Sequence, residues 1–214
     1  GGEGGVYTWT IGGEPRGEMP KEHRNDVNGV ALLDDLLASA SGDKTARLWS
    51  MTTRTCTATL SEHTREGGCV AVTKEAIATG SNDDSARIWP GGGGASLHTL
   101  PHPSLVCGVA MAKDVLVTGC CDKVVRTFAV STGQRTRLLR GHTADVNAVA
   151  LSGSMVVSGG DDKVVKVWAL TGEASAECVT TLAGHSHWVV GVVAGPDFVA
   201  SQAWYDSELI VWRP

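Results

Sequence analysis

The stretch GGDDKVVKVW, residues 159–168, decides the fold of this 214-residue chain. It places two adjacent aspartates and a lysine before a valine-rich run that ends in tryptophan. Paired carboxylates beside a cation could bind a metal ion or share a proton. The same order of residues recurs along the chain, however, and this recurrence favours architecture over chemistry.

The chain repeats at intervals of about 40 residues. The aromatic residues that end each segment are Trp9, Trp49, Trp89, Phe128, Trp168 and Trp212. Six residues before the last five of them stand Asp43, Asp83, Asp122, Asp162 and Asp206. A histidine precedes each of these aspartates by 20 or 21 residues: His23, His63, His102, His142 and His185. A hydroxyl residue stands four residues before the aspartate, or five in the last repeat: Ser39, Thr79, Thr118, Ser158 and Ser201.

Short β-strands are predicted between these recurring residues. Segments such as VNAVAL, MVVSGG and KVVKVWAL alternate or run apolar over four to eight residues, with Gly, Asp, Asn and Ser between them. TCTATL, ASLHTL and ECVTTL are more polar and are expected to form outer strands. A period near 40 residues that holds four short strands is typical of a propeller blade. The sequence therefore predicts an all-β fold.

On these residues the chain resembles the WD40-repeat family. The Gly-His pairs 141–142 and 184–185 match its signature, and SASGDKTARLW and SGGDDKVVKVW resemble its central hairpin. The aromatic residue is followed by aspartate in none of the six segments, but this position varies in the family. The resemblance implies a β-propeller of four-stranded antiparallel blades, with five full repeat units and a partial N-terminal blade.

We expect a single propeller domain over residues 1–214, with its sequence truncated at the N-terminus. The expected units are a partial one over 1–22 and five over 23–62, 63–101, 102–140, 141–183 and 184–214. The last unit is expected to lack its outer strand. A ring of seven blades would need about 280 residues, so we expect these units to be part of such a ring, with a smaller ring as the alternative.

The resemblance also assigns the recurring polar residues to a hydrogen-bonded tetrad of aromatic residue, Ser or Thr, His and Asp. Buried polar groups cost free energy unless they are paired, and a linked set makes a blade rigid. Ser, His and Asp together also resemble a hydrolase triad. A catalytic site is needed once, whereas this set occurs five times, so we interpret it as structural and expect no enzymatic activity. Phe128 keeps the ring but lacks the indole donor.

A basic residue stands two positions before four of the aromatic residues. These residues are Arg47, Arg87, Arg126 and Lys166. We expect each to lay its aliphatic stem along the sheet with its charged head in solvent.

Charge and cysteine content limit the other function classes. The net charge of −5 disfavours a nucleic-acid or anionic-membrane surface, and no apolar run approaches the length of a membrane span. The six cysteines form no C-x-x-C motif and mostly lie in apolar runs, which favours a reducing compartment, the cytoplasm or alternatively the nucleus. We expect no metal and no cofactor.

The resemblance implies that partners bind a top face formed by the residues three and five after each histidine and the one before each aspartate. The candidate contacts are Asp26, Asn28, Glu66, Leu105, Asp145, Asn147, Asp161, Trp188 and Tyr205. The same positions hold Cys107 and Cys121. The set has four acids and no base. It is either a group of solvated loop-edge charges or a patch for a basic peptide or helix with Trp188 and Tyr205 as its main contacts.

We therefore expect a non-enzymatic protein-interaction scaffold or adaptor that is a subunit of a larger complex. One alternative is the substrate-receptor propeller of a ubiquitin ligase. Readers of phosphorylated segments need arginines to pair with phosphate, and the top-face positions contain none. A second alternative is a structural subunit of a large multiprotein assembly.

Overall fold

The computed structural model describes residues 5–9, 12–170, 178–206 and 209–213. The expected partial unit 1–22 and the units 141–183 and 184–214 therefore lie partly outside the described residues. These residues form 21 β-strands, and no helix among them is long and apolar enough to cross a membrane.

The strands form six antiparallel sheets in chain order. The first pairs β1 (Tyr7–Trp9) with β2 (Pro15–Glu18). The second contains β3 (Val27–Leu33), β4 (Leu36–Ser41), β5 (Ala46–Ser50) and β6 (Thr55–Leu60). The third contains β7 (Gly67–Val72), β8 (Ala76–Ser81), β9 (Ser85–Pro90) and β10 (His98–Pro101). The fourth contains β11 (Val106–Ala112), β12 (Val115–Cys120), β13 (Val124–Ala129) and β14 (Arg135–Arg140).

The fifth sheet contains β15 (Val146–Ser152), β16 (Met155–Gly160), β17 (Val164–Ala169) and β18 (Cys178–Ala183). The sixth contains β19 (Val189–Ala194), β20 (Val199–Ala203) and β21 (Leu209–Trp212). In every sheet from the second onward, neighbours in the chain are neighbours in the sheet. This up-and-down order is favoured by short turns between consecutive strands, such as the two-residue turns between β3 and β4 and between β11 and β12.

Successive sheets pack face to face, with their first strands beside one another. β3, β7, β11, β15 and β19 lie in contact in chain order, which gives a β-propeller-like arrangement. The second strands β4, β8, β12 and β16 are buried almost throughout because neighbouring sheets cover both of their faces. Their small and apolar residues, as in LLASAS and AIATGS, fit this position.

The apolar core lies between the sheets. Leu48 and Leu60 of the second sheet pack with Ile77 and Trp89 of the third. The two-stranded hairpin adds Met19 to the other face of the second sheet, beside Leu37 and Trp49. On this face Val30 is 59% exposed, whereas its counterparts in the next three sheets, Val70, Val109 and Val149, are buried. The hairpin therefore covers the face only in part.

Each first strand contains a β-bulge at the same place. The pairing register shifts in the five strands between Val27 and Gly29, Gly67 and Cys69, Val106 and Gly108, Val146 and Ala148, and Val189 and Gly191. The extra residue of a bulge is unpaired, and its side chain is turned out of the regular alternation. The residues placed there are the ones five after each histidine, which include Asn28, Cys107 and Asn147.

The bulges also bring neighbouring first strands very close together. A Cβ atom at Gly108 of β11 would lie 2.9 Å from the Asn147 carbonyl oxygen and 3.2 Å from Ala148 Cα of β15. Both are backbone atoms, so the contact cannot be relieved by a side-chain rotation. Glycine is required here because the sheets pack backbone to backbone.

Substitution Gly108→Ala is expected to lower the free energy of unfolding by about 1–3 kcal/mol, because the added methyl group forces two first strands apart. Urea denaturation followed by tryptophan fluorescence measures this loss. Gly92→Ala is the matched control, since a Cβ there meets nothing within 4 Å. Equal stability of the two variants would contradict the close packing of the first strands.

Candidate functional site

The repeats are numbered from the one that begins at His23, so the first repeat forms the second sheet. In this first repeat the four recurring residues form one chain of hydrogen bonds. The Trp49 indole N–H donates to Ser39 Oγ over 2.9 Å, and the Ser39 hydroxyl donates to His23 Nε2 over 2.7 Å. His23 Nδ1–H then donates to Asp43 Oδ2 over 2.9 Å. Because the carboxylate can only accept, this order of donors assigns the Nδ1–H tautomer to the histidine.

The same chain runs through the second, fourth and fifth repeats. The indole-to-hydroxyl distance is 2.9 Å and the hydroxyl-to-Nε2 distance is 2.7 Å in all three. The Nδ1-to-carboxylate distance lies between 2.8 and 3.0 Å. The residues are His63, Thr79, Asp83 and Trp89; His142, Ser158, Asp162 and Trp168; and His185, Ser201, Asp206 and Trp212.

The aspartate of these chains also holds the backbone of the loop that carries the histidine. In the first two repeats the N–H groups of Arg24 and Thr64 donate to Asp43 and Asp83 over 3.0 and 2.9 Å. Burial would raise the pKa of Asp43, but hydrogen bonds from Thr45, from the Arg24 N–H and from His23 outweigh it and hold this pKa below its usual range. The carboxylate is therefore ionised near neutral pH.

The third repeat departs from the expected tetrad. Thr118 Oγ1 lies 2.9 Å from His102 Nε2, but His102 Nδ1–H donates to the Leu100 carbonyl oxygen over 2.9 Å. Asp122 instead pairs with Arg126, whose Nη1 lies 2.9 Å from Asp122 Oδ1 and whose Nη2 contacts Oδ2. The prediction of a His102–Asp122 bond was wrong, and so was the prediction that the Arg126 head reaches solvent, because Arg126 is buried.

Two residues of the third repeat remove donors from Asp122. Pro103 follows His102, and proline has no N–H to donate to the carboxylate as Arg24 and Thr64 do. Val124 stands where Thr45 and Ser85 donate a hydroxyl to the aspartate in the first two repeats. Only Pro103 separates this repeat from the intact ones, because Val164 of the fourth repeat, whose chain is complete, matches Val124. Asp122 has thus lost two donors, and the Arg126 guanidinium supplies two others.

Phe128 adds a third difference, because it offers no donor to Thr118. Substitution Phe128→Trp is expected to be neutral or stabilising, since an indole N–H would complete the chain to Thr118 Oγ1. The reverse change Trp89→Phe in the second repeat removes the bond to Thr79 and is expected to cost about 1–3 kcal/mol. Both are measured by chemical denaturation. A loss of more than about 1 kcal/mol in Phe128→Trp would contradict the assignment.

The buried histidines make stability depend on pH. Burial disfavours the charged imidazolium and lowers the pKa of His23, His63, His102 and His142 below the ordinary histidine value. In the first two, the hydrogen bond to the aspartate acts in the opposite direction and is outweighed. The folded protein therefore keeps these rings neutral at pH values where the unfolded chain would protonate them.

The free energy of unfolding is expected to fall between about pH 7.5 and about pH 5.5, because the unfolded chain takes up protons that the folded chain does not. Each such proton contributes at most about 1.4 kcal/mol per pH unit. Urea midpoints at the two pH values measure the effect. Asp43 and Asp83, whose pKa values are lowered, stay ionised over this range. A midpoint that is unchanged or higher at the lower pH would contradict this account.

Backbone hydrogen bonds join the candidate top-face residues within each repeat. The residue before the aspartate donates its N–H to the carbonyl of the residue three after the histidine, over 2.9 to 3.0 Å in the first four repeats. The pairs are Gly42 and Asp26, Asn82 and Glu66, Cys121 and Leu105, and Asp161 and Asp145. The end of each sheet where the second and third strands are connected thus carries these residues.

The last repeat shifts this pattern by one residue. There Trp204 N–H donates to the Trp188 carbonyl oxygen over 2.8 Å, so Trp204 holds the place that the sequence assigned to Tyr205. Tyr205 is the inserted residue, with a left-handed φ of 63° and 86% of its surface exposed. The five-residue distance between Ser201 and Asp206 was the signal for this insertion.

Aromatic side chains cluster at this end of the last repeat. The ring of His187 lies 5.0 Å from that of Trp188 and 5.4 Å from that of Tyr205. Trp204 lies 6.0 Å from Tyr205, centroid to centroid. Trp188 and Trp204 are 46% and 51% exposed. His187 and Trp204 were absent from the residues predicted from the sequence.

Two of the predicted contacts hold neighbouring sheets together. Asn28 Nδ2–H donates to the Gly67 carbonyl oxygen over 2.9 Å, and Asn147 Nδ2–H donates to the Val189 carbonyl oxygen over 3.1 Å. The Asn147 amide also donates to Asp161 Oδ1 over 2.7 Å. These asparagines therefore act across the sheet interfaces, and their amides are already engaged.

The structure brings some candidate residues together and leaves others apart. Asp161 and Asp145 share the fourth repeat, and Asn147 connects Asp161 to the strand that follows Trp188. Asp26 and Glu66 are exposed in separate sheets. Three exposed lysines were not among the candidate contacts predicted from the sequence. Each directly follows the recurring aspartate of its repeat and has a left-handed backbone conformation: Lys44, Lys123 and Lys163. Asp145 and Asp161 are the two acidic candidates that a hydrogen bond joins within one repeat.

The repeated sheets, with a buried hydrogen-bond chain in each, define a β-propeller-like repeat protein. A family model described as "WD domain, G-beta repeat" matches residues 13–50, 54–90 and 133–169, which make up more than half of the chain. The chain belongs to the WD40-repeat family. WD40 repeats generally mediate protein–protein interactions, and the family is generally non-enzymatic.

The chain is similar over nearly its whole length to a solved structure of a designed protein. It is the crystal structure of the computationally designed Ika8 protein, with a TM-score of 0.82 and 25% sequence identity. The match covers 99% of this chain and 65% of the designed one, so this chain spans less than two thirds of that protein's length. No curated protein matches the chain significantly. Among the described residues, no group of three or more His, Cys, Asp or Glu side chains is placed to hold a metal ion.

Proposed function

We propose that the chain is a non-enzymatic interaction scaffold that binds a basic peptide or helix on its top face. The observation that carries this proposal is the hydrogen-bonded connection from Asp161, whose N–H bonds to the Asp145 carbonyl, to the strand that follows Trp188, whose ring belongs to the exposed aromatic cluster. Asn147 connects the two groups, since it bonds to Asp161 and to the backbone beside Trp188.

The chemistry of this surface suits a cationic side chain. Carboxylates attract a Lys or Arg head and steer its approach, while an exposed indole or phenol face adds a cation–π contact. Large rings that are partly exposed in the free protein are also the residues that contribute most when an interface buries them. The net charge of −5 favours association with a basic partner.

A peptide array tests this proposal with purified protein. Lys- and Arg-rich sequences are expected to retain the protein, and the same sequences with serine in place of the bases are not. The double variant Trp188→Ala/Asp145→Lys is expected to bind the basic peptides at least about tenfold more weakly, because it removes a ring and reverses a charge.

The matched control changes an exposed charge and an exposed apolar residue at the opposite end of the sheets. Asp114 lies in the turn between β11 and β12, and Leu97 precedes β10, so Leu97→Ala/Asp114→Lys is expected to bind as the wild type does. Equal retention of the two double variants on the basic peptides would refute the top-face patch, as would retention that ignores peptide charge.

We propose further that the six sheets are part of a ring of seven blades. The repeat period supports this, and so does the exposure of Val30, whose counterparts Val70, Val109 and Val149 are covered by a preceding sheet. In a ring the corresponding face of the second sheet would be covered as well. Single-particle images of the intact protein would test the number of blades, and six or eight would refute it.

A further inference from the structure

Two cysteines of the third repeat lie side by side as free thiols. Cys107 Sγ is 2.9 Å from Cys121 Sγ. Cys107 is the bulge residue of β11, and Cys121 directly follows β12. The Cys121 N–H donates to the Leu105 carbonyl oxygen over 3.0 Å, so the backbone holds the two residues together independently of their sulfur atoms.

The other cysteines lie in different surroundings. Cys120 is buried and its thiol donates to the Ser104 carbonyl oxygen over 3.3 Å, although it is the chain neighbour of Cys121. Cys69 lies in β7 and its Sγ is 3.8 Å from the Val106 carbonyl oxygen. Cys56 and Cys178 belong to the outer strands β6 and β18. Both Cys107 and Cys121 are partly exposed, so a small oxidant in solvent can reach them.

We propose that Cys107 and Cys121 form a redox-modification site that a hydroperoxide converts to an intramolecular disulfide. The Cys107 thiolate attacks a peroxide oxygen, the O–O bond breaks, and the departing oxygen leaves as water or alcohol with the proton from the thiol. The sulfur of Cys121 then attacks the Cys107 sulfenic acid. The S–O bond breaks and hydroxide leaves as water with the Cys121 proton. Two thiols are oxidised and one peroxide is reduced.

Burial slows this reaction, and the neighbouring carboxylates add to the effect. Burial raises the pKa of both thiols, and the Asp145 carboxylate acts in the same direction on each, with Asp161 adding to the effect on Cys107. The thiolate is the reactive form, so these acids slow oxidation near neutral pH. The site therefore responds to strong or prolonged oxidation. The inference rests on the sulfur geometry and does not depend on the proposed function.

The test uses the intact, fully reduced protein, hydrogen peroxide as the probe, and alkylation of the remaining thiols. Two of the six thiols are expected to be lost and then recovered with dithiothreitol. Trypsin places Cys107 in the peptide 88–113 and Cys121 in the peptide 114–123, so mass spectrometry should find these two peptides joined. Fragmentation of the joined peptides is expected to assign the link to Cys121 and not to Cys120.

Variants separate this site from general oxidation. Cys121→Ser is expected to abolish the link, whereas the matched control Cys69→Ser keeps it. Asp145→Asn/Asp161→Asn is expected to speed thiol loss by at least about twofold because the thiolate becomes easier to form. The wild-type peptide map needs no variant, so a folding defect in Cys121→Ser would not remove the test.

A link from Cys107 to Cys69 or to Cys120 would overturn the proposal. So would links only between separate chains, or the loss of two thiols at the wild-type rate in Cys121→Ser. A rate that is unchanged or lower in the double asparagine variant would overturn the role assigned to the two carboxylates.

Discussion

The buried chain of hydrogen bonds from indole to carboxylate is the interaction on which the rest of the structure depends. In the second sheet it joins Trp49 of β5 to Ser39 of β4, then to His23 in the loop before β3, and finally to Asp43 in the β4–β5 turn. One network thus fixes the loop that enters the sheet and the turn at the same edge. The candidate binding residues Asp26 and Asn28 follow His23 by three and five positions, and Gly42, which bonds to Asp26, precedes Asp43, so their positions follow from this constraint.

Much of this architecture could be predicted because the His, Ser or Thr, Asp and aromatic residues of the hydrogen-bond chain recur in the sequence at a nearly constant spacing. The all-β repeat fold follows from that spacing. The inward turn of Arg126 could not be predicted in the same way, because the sequence places a similar basic residue in three other repeats. The decisive difference is Pro103. In the other repeats the residue after the histidine donates its backbone N–H to the aspartate, and proline has no N–H. A comparison of side chains alone does not reveal the loss of a backbone donor.

Contacts between repeats were harder to predict than contacts within them. The sequence placed Cys107, Cys121 and Asp145 at one edge, but the approach of Asp145 to the two thiols of the fourth sheet depends on how closely the fourth and fifth sheets pack. That distance is set by Gly108, which allows the backbones of β11 and β15 to come together. The position of Trp204 depends likewise on where the turn of the last repeat takes up its extra residue. Spacing alone placed Tyr205 at the position before the aspartate that faces partners. The backbone hydrogen bond to Trp188 shows that Trp204 holds this position.

The asparagines in the bulges join the sheets unevenly. Asn28 joins the second sheet to the third, and Asn147 joins the fifth to the sixth. At the two interfaces between them, Gly68 and Cys107 stand in the same bulge position and have no amide to donate. Among the described residues, these side-chain amides therefore join only the first and last of the four interfaces. At the second interface the Cys69 thiol lies 3.8 Å from the Val106 carbonyl oxygen instead, on the fourth sheet, which carries both the altered network and the pair of thiols.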